Sequence, residues 1–267
     1  MPRPVERTHD PFADFVAMER GGWGDAGVAR AYADGFARAS EQHVPHLVRA
    51  VGAGPGTRAL DLCCGHGIVA EGLAKAGAAV TALDFSPAML AMARERVPNA
   101  TVVEGDATAL PFADATFDAV TIGLGVPHMA RPDRVLREAR RVLAPGGRIA
   151  LTCWLGPDRS FAMRVVSAAI AEHGNPNVAM PEAPPNFAFA EEDVALPALQ
   201  RAGFTGAAMV TINSHWIVDD PGAVFDLFMR GTVRVGELLH RQLADTLPAI
   251  RAAVTDAVRR ELGPDGP

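Results

Sequence analysis

The chain is poor in several residue types whose abundance would have set its class. Lys75 is the only lysine and Tyr32 the only tyrosine, and aromatic residues make up 6% of the 267 positions. No cluster of basic residues stands out against a formal net charge of −6. Nucleic-acid binders normally present a basic face, so no nucleic-acid partner is expected. Three cysteines, Cys63, Cys64 and Cys153, cannot build a disulfide framework, and a reducing compartment suits them. No His or Cys cluster has the spacing of a metal site, so none is expected. No run approaches the roughly 18 apolar residues of a membrane-spanning helix. The opening MPRPVERTHDPF has no apolar signal region. A cytoplasmic location is the expectation.

What is present reads as an ordinary folded protein, with 49% hydrophobic and 21% charged residues. Residues 1–24 hold Pro2, Pro4, Pro11 and Gly21-Gly22 and predict a loose leader. Val28, Tyr32 and Phe36 recur at i, i+4 and i+8, which predicts a helix over 25–39, and a second follows over 41–52. From residue 57 the pattern alternates. Strands are predicted at 58–62, 78–83, 100–104, 117–122 and 148–154, with helices at 67–76, 87–97 and 132–143 between them. Such alternation implies a mainly parallel sheet covered on both faces. Beyond it come a helix at 159–173, a Pro- and Asn-rich insertion at 175–189, and a helix at 191–202. Strands near 205–212 and 214–218 would bring the sheet to seven. The tail, 221–262, predicts two helices despite Pro248, and 263–267 should fray. The fold class is therefore three-layer α/β, Rossmann-like. Its parts are an N-terminal helical lid (1–56), a core (57–154), a cover insertion (155–190), the last helix and strands of the core (191–218) and a C-terminal helical extension (219–267).

The first predicted strand ends in Ala59-Leu60-Asp61-Leu62-Cys63-Cys64-Gly65-His66-Gly67. A strand running into a glycine turn and then a helix brings backbone close to a ligand at the carboxyl edge of the sheet. Asp84 ends the next strand, where an acid can accept two hydrogen bonds from a ribose diol. Two cofactors compete here. Gly65-His66-Gly67-Ile68-Val69-Ala70 formally matches the dinucleotide fingerprint G-x-G-x-x-A. Asp61 argues against it, because a carboxylate there would repel a pyrophosphate but would suit a cationic ammonium group. S-adenosylmethionine carries a ribose diol and an amino-acid end, and no phosphate.

LDLCCGHG at 60–67, ALDFSPAML at 82–90, GDATALPF at 105–112, FDAV at 117–120 and LAPGGRIAL at 143–151 follow in order. In them the chain resembles the class I S-adenosylmethionine-dependent methyltransferases, of the kind that act on ubiquinone precursors and small molecules. One departure is Cys63, which replaces the first glycine of the family's D-x-G-x-G-x-G. The resemblance implies S-adenosylmethionine as cofactor and S-adenosylhomocysteine as product. It implies that Asp61 and the backbone around Cys63, Gly65 and Gly67 hold the methionine end, and that Asp84 binds the ribose hydroxyls. Phe85 would pack on adenine, Asp106 would accept its amino group with Ala107 beside it, and Gly123 would lie near the cofactor. Tyr32 would be an aromatic near the methionine carboxylate or an ordinary core residue.

His128, in the loop after the fourth strand, is the best-placed titratable group. A neutral imidazole there could take a proton from a hydroxyl or amine nucleophile, and the alternative is a bond to loop backbone. His66 reads as a spacer of the cofactor turn, and His43 and His46 as solvated or capping residues. Trp154, Phe161, Met180, Trp216 and Phe228 lie outside the cofactor half and would either cover an apolar substrate or pack helices. The expected reaction moves a methyl group to an O, N or C nucleophile of a small, partly apolar metabolite. A protein or RNA methyltransferase, a non-catalytic binding module of the same fold and an NAD-dependent oxidoreductase are the rival readings. A homodimer is left open.

Overall fold

Residues 10–218 and 220–263 are described by the structure, a computed structural model. The start of the predicted leader and the last four residues of the predicted frayed end lie outside the described residues.

Three helices precede the sheet: α1 (Ala13–Gly24), α2 (Ala26–Ser40) and α3 (Val44–Val51). The predicted loose leader is thus helical from residue 13. Its stripe is Phe15, Glu19 and Trp23, all buried, and the helix runs through the Gly21-Gly22 pair to Gly24. Asp25 separates the first two helices and caps α2, its carboxylate accepting from the Gly27 and Val28 N–H groups. The alternating region follows as β1 (Arg58–Leu62), α4 (Ile68–Lys75), β2 (Ala79–Asp84), α5 (Pro87–Arg96), β3 (Thr101–Glu104), β4 (Phe117–Gly123), α6 (Pro132–Val142) and β5 (Leu143–Thr152). The strands form a parallel sheet in the order β3-β2-β1-β4-β5.

Alternation along the strands divides the core between two faces. Leu60, Leu62, Val120 and Ile122 pack toward α6 and α8 (Glu192–Arg201), the helix that follows α7 (Phe161–His173). Ala59 and Ala119 face the side covered by α3, α4 and α5. The register pairs Asp61 with Thr121, so two polar side chains sit next to each other on that second face at the carboxyl end of the sheet.

Five strands form the sheet among the described residues, rather than the seven expected. Segments 205–212 and 214–218 join no ladder, and Val210 and Ile217 stand 75% and 56% exposed. The backbone of His215 instead exchanges both of its hydrogen bonds with the Gln42 side chain. A local polar clamp has replaced strand pairing there. The tail holds three helices rather than two: α9 (Ala223–Gly231), α10 (Arg234–His240) and α11 (Leu247–Leu262). Pro248 falls in the first turn of α11, where its missing N–H costs nothing. These helices pack with α2 and α7 around Phe36, Val166, Phe228 and Ile250. Trp154, Phe161 and Trp216 belong to this cluster, and Trp216 stacks on Phe228 with ring centroids 5.5 Å apart.

Candidate functional site

The turn after β1 runs through three residues with positive φ: Cys63 (59°), Gly65 (53°) and Gly67 (87°). Cys63 therefore adopts the left-handed conformation that a glycine would take without strain, at a cost of roughly 1–2 kcal/mol. The opposing loop makes room for its side chain. A Cβ on Gly125 would stand 2.8 Å from the Cβ of Cys63, so glycine at 125 is what admits a side chain at 63. Gly67 opens α4 under similar pressure, since a Cβ there would lie 3.2 Å from the backbone of Ala93.

Over this turn lies a cavity of about 340 Å³ at the carboxyl edge of the sheet, within the ordinary range for small-molecule sites. Tyr32, Asp61, Cys63, Gly65, Phe85, Asp106, Ala107, Gly123 and His128 all line it. Gly67 and Asp84 do not: they sit behind the wall. Asp84 Oδ2 accepts from the Gly65 N–H and Oδ1 from the Ser86 N–H, both at 2.9 Å. Burial raises the Asp84 pKa against the pull of those two donors.

Asp61 is fully buried. Its Oδ1 accepts from the Thr121 hydroxyl at 2.9 Å, while Oδ2 has no hydrogen-bond partner. Burial pushes its pKa up to about 7, against the Thr121 bond and the pull of the Ala70 backbone N–H, which lies too far or too skewed for a geometric hydrogen bond, and with some help from the Asp84 charge. Asp106 behaves in the opposite way. Partial burial works against its charge, but the N–H and hydroxyl of Thr108 and the Arg20 and Arg134 guanidinia outweigh it, and its pKa falls. Burial lifts Tyr32 to about 12 and drives the Cys63 and Cys64 thiols well above their usual range. His66 lines the cavity edge-on to Tyr32, 5.7 Å between ring centroids. His43, expected to be solvated or capping, is instead buried at 7% exposure because its helix turns that side toward Gly123. Burial holds both rings neutral, with pKa values lowered to about 4.

Helix α1 roofs the cavity with Val16, Glu19, Arg20 and Trp23. Arg20 donates to Asp106 at 2.9 Å and lies 5.2 Å over the Phe85 ring. The Ser86 hydroxyl donates to the Trp23 carbonyl at 2.6 Å. His128 Nδ1 lies 2.9 Å from Glu19 Oε2. Glu19, Arg20 and Trp23 were missed in the sequence because two glycines and three prolines mark their segment as loose. The signal that could have found the helix is the i, i+4, i+8 spacing of Phe15, Glu19 and Trp23.

The insertion was expected to cover the site. Among the described residues, none of 155–190 lines the 340 Å³ cavity. Ala179, Met180 and Pro181 line a more open cavity of about 650 Å³ on the other side of α1, with Met18, Gly22 and Val233. The helix, not the insertion, is the direct roof. No group of three or more His, Cys, Asp or Glu that could hold a metal occurs among the described residues, and no helix there is long and apolar enough to cross a membrane.

Residues 60–151 match a family described as a methyltransferase domain. The chain is 37% identical over 163 residues to a demethylmenaquinone methyltransferase from Mycobacterium bovis, covering 57% of this chain and 68% of that protein. It is 41% identical over 141 residues to the demethylmenaquinone methyltransferase of Renibacterium salmoninarum, covering 51% of this chain and spanning 60% of the length of that relative. A crystal structure of a SAM dependent methyltransferase from Aquifex aeolicus superposes with a TM-score of 0.50 at 20% identity, over 67% of this chain and 88% of that one, and shares the fold.

Proposed function

We propose that this chain, which belongs to the class I S-adenosylmethionine-dependent methyltransferases, moves a methyl group from that cofactor to an O, N or C nucleophile of a small, partly apolar metabolite. The observation that carries the reading is Asp61. A buried carboxylate oxygen without a donor is costly, of order 1–3 kcal/mol or more. Its place on the cavity wall beside the glycine turn suits a ligand that brings donors and positive charge, as the ammonium of S-adenosylmethionine does. A dinucleotide would bring phosphate to the same oxygen.

When bound, the cofactor supplies an electrophilic methyl group on a positive sulfur. The chain's own residues supply the rest. Asp61 and the Cys63–Gly67 backbone would hold the amino-acid end, with Gly123 leaving space beside it. Asp84 braces the Gly65 turn and would meet the ribose as the wall adjusts. Phe85, Asp106 and Ala107 would take the adenine, and Asp106 would exchange its Arg20 bond for the amino group. The roof of α1 and Tyr32 excludes water. His128, on the same cavity, would accept the proton of the acceptor. Much of the rate in such a transfer comes from holding the nucleophile in line with the methyl carbon.

The names of the relatives suggest the acceptor to test first, demethylmenaquinone supplied in its reduced quinol form, within a panel of hydroxyl- and amine-bearing metabolites. Calorimetric titration with S-adenosylmethionine and with NAD, followed by methyl transfer to the panel, tests the proposal. Binding of the first and not the second is expected. A chain that binds NAD and ignores S-adenosylmethionine would overturn it, and binding without transfer to any acceptor would favour the non-catalytic reading.

A further inference from the structure

An imidazole accepts a proton only at the nitrogen that carries none, so a proton-accepting His128 needs its tautomer set. Two side chains pack against the ring. Glu19 Oε2 lies 2.9 Å from Nδ1, and the Trp23 ring packs edge-on with its centroid 5.0 Å away. The Trp23 indole N–H donates to that same Oε2 at 2.9 Å, so one oxygen serves both groups. Glu19 itself is only 2% exposed. A buried glutamate needs a counter-charge, and Arg234 in the first turn of α10 supplies it. The Arg234 guanidinium lies 5.1 Å over the Phe15 ring and donates to the carbonyls of Pro127, next to His128, and of Pro184. Burial pulls its pKa down and the Glu19 charge opposes that pull. Oε2 already accepts from the Trp23 N–H, and we take it as the acceptor toward Nδ1 as well, which makes Nδ1 the protonated nitrogen.

We propose that Glu19 is a positioning residue: by accepting the Nδ1–H it holds His128 in the tautomer whose Nε2 carries the free lone pair, and it balances the charge when that nitrogen is protonated. The inference rests on His128 being the proton acceptor. In the step, the acceptor's O–H or N–H bond breaks and its proton moves to Nε2. The electron pair left behind forms the bond to the methyl carbon, while the carbon–sulfur bond breaks and its pair stays on sulfur. The imidazolium then releases its proton to water. Because Glu19 rides on α1, the pair is complete only when that helix is seated.

The test uses the full chain with 15N-labelled histidine. Glu19→Gln is nearly isosteric and removes the charge, while its amide oxygen can still accept from both the Trp23 N–H and the Nδ1–H; Glu19→Ala removes the partner altogether. In its neutral form, His128 of the parent should show a protonated Nδ1 and a bare Nε2; Glu19→Ala should move those shifts and Glu19→Gln should largely keep them. Turnover of Glu19→Ala should fall roughly 10²-fold or more and that of Glu19→Gln by less, S-adenosylmethionine affinity should stay within a few-fold, and Glu19→Ala combined with His128→Gln should be no worse than His128→Gln alone, because the pair acts as a unit. Unmoved nitrogen shifts or parental turnover in Glu19→Ala, while His128→Gln is inert, would overturn the positioning role alone. Parental turnover in His128→Gln would overturn the proton-acceptor reading, and Glu19's role with it.

Discussion

Asp61 and Glu19 are both buried carboxylates on the wall of one cavity, each with one oxygen bonded and the other without a partner. They reach it by different routes. Asp61 stands in β1, and the register of neighbouring strands sets its partner: Thr121 lies opposite it in β4. Glu19 stands on a helix outside the sheet, and its partner is 109 residues away on a loop. The strand edge is rigid and its chemistry follows from pairing. The roof is docked, and its chemistry exists only in the docked state. The difference teaches where to look for each kind of function, with binding assigned to the edge and proton handling to the junction between roof and loop.

The largest expected effect falls on that junction. His128→Gln should lose roughly 10²–10⁴ in turnover with near-parental cofactor affinity, read by steady-state kinetics beside calorimetry. A variant that loses affinity instead would erase the division between roof and edge. Next comes Asp84→Ala at the edge. Charge-assisted bonds of about 1.5–3 kcal/mol imply roughly ten- to a hundred-fold weaker S-adenosylmethionine binding. The variant also strands the Gly65 and Ser86 N–H groups, so its melting temperature should fall. Unchanged affinity in a folded variant would remove Asp84 from the site.

Asp61 makes the edge sensitive to pH. Its native pKa, about 7, lies above that of the unfolded chain, so the native state holds an extra proton between the ordinary carboxylate range and about pH 7. The stability of the ligand-free protein should therefore decline as pH rises through that window and level off above it. Cofactor affinity should run the other way, climbing with pH up to about 7 as the carboxylate ionises to meet a cation. Asp61→Asn should flatten both curves, measured by thermal melts and titrations across the window. If the parent's stability is already flat there, burial does not govern Asp61.

The smallest effect belongs to the rim. The Arg20–Asp106 pair is half-exposed on both sides, and such pairs contribute about 0–1 kcal/mol. Arg20→Ala should leave global stability almost unchanged while speeding hydrogen exchange in α1 more than in β1 or β4. Equal exchange in roof and edge would mean that the roof is no looser than the sheet.

Much of the molecule follows from periodicities that a few neighbouring residues reveal. The alternation of β1 through β5 with α4, α5 and α6, the turn after β1, and the placing of Asp61 and Asp84 at strand ends are of this kind. A strand's end and a glycine turn are local events, and the carboxyl edge of a parallel sheet is a site by construction. Tertiary structure alone decided the rest. It seated the leader helix, itself legible in the spacing of Phe15, Glu19 and Trp23, as the roof of the site, and it buried His43 and Glu19. It matched the side chain of Cys63 to the missing side chain of Gly125, and gave 214–218 a clamp on Gln42 in place of a ladder. It spent Trp216 and Phe228 on helix packing, and set the insertion beside a second cavity. Each of these depends on contacts between residues far apart in the chain. Such contacts are favourable only once the whole arrangement excludes water, and no local pattern records them.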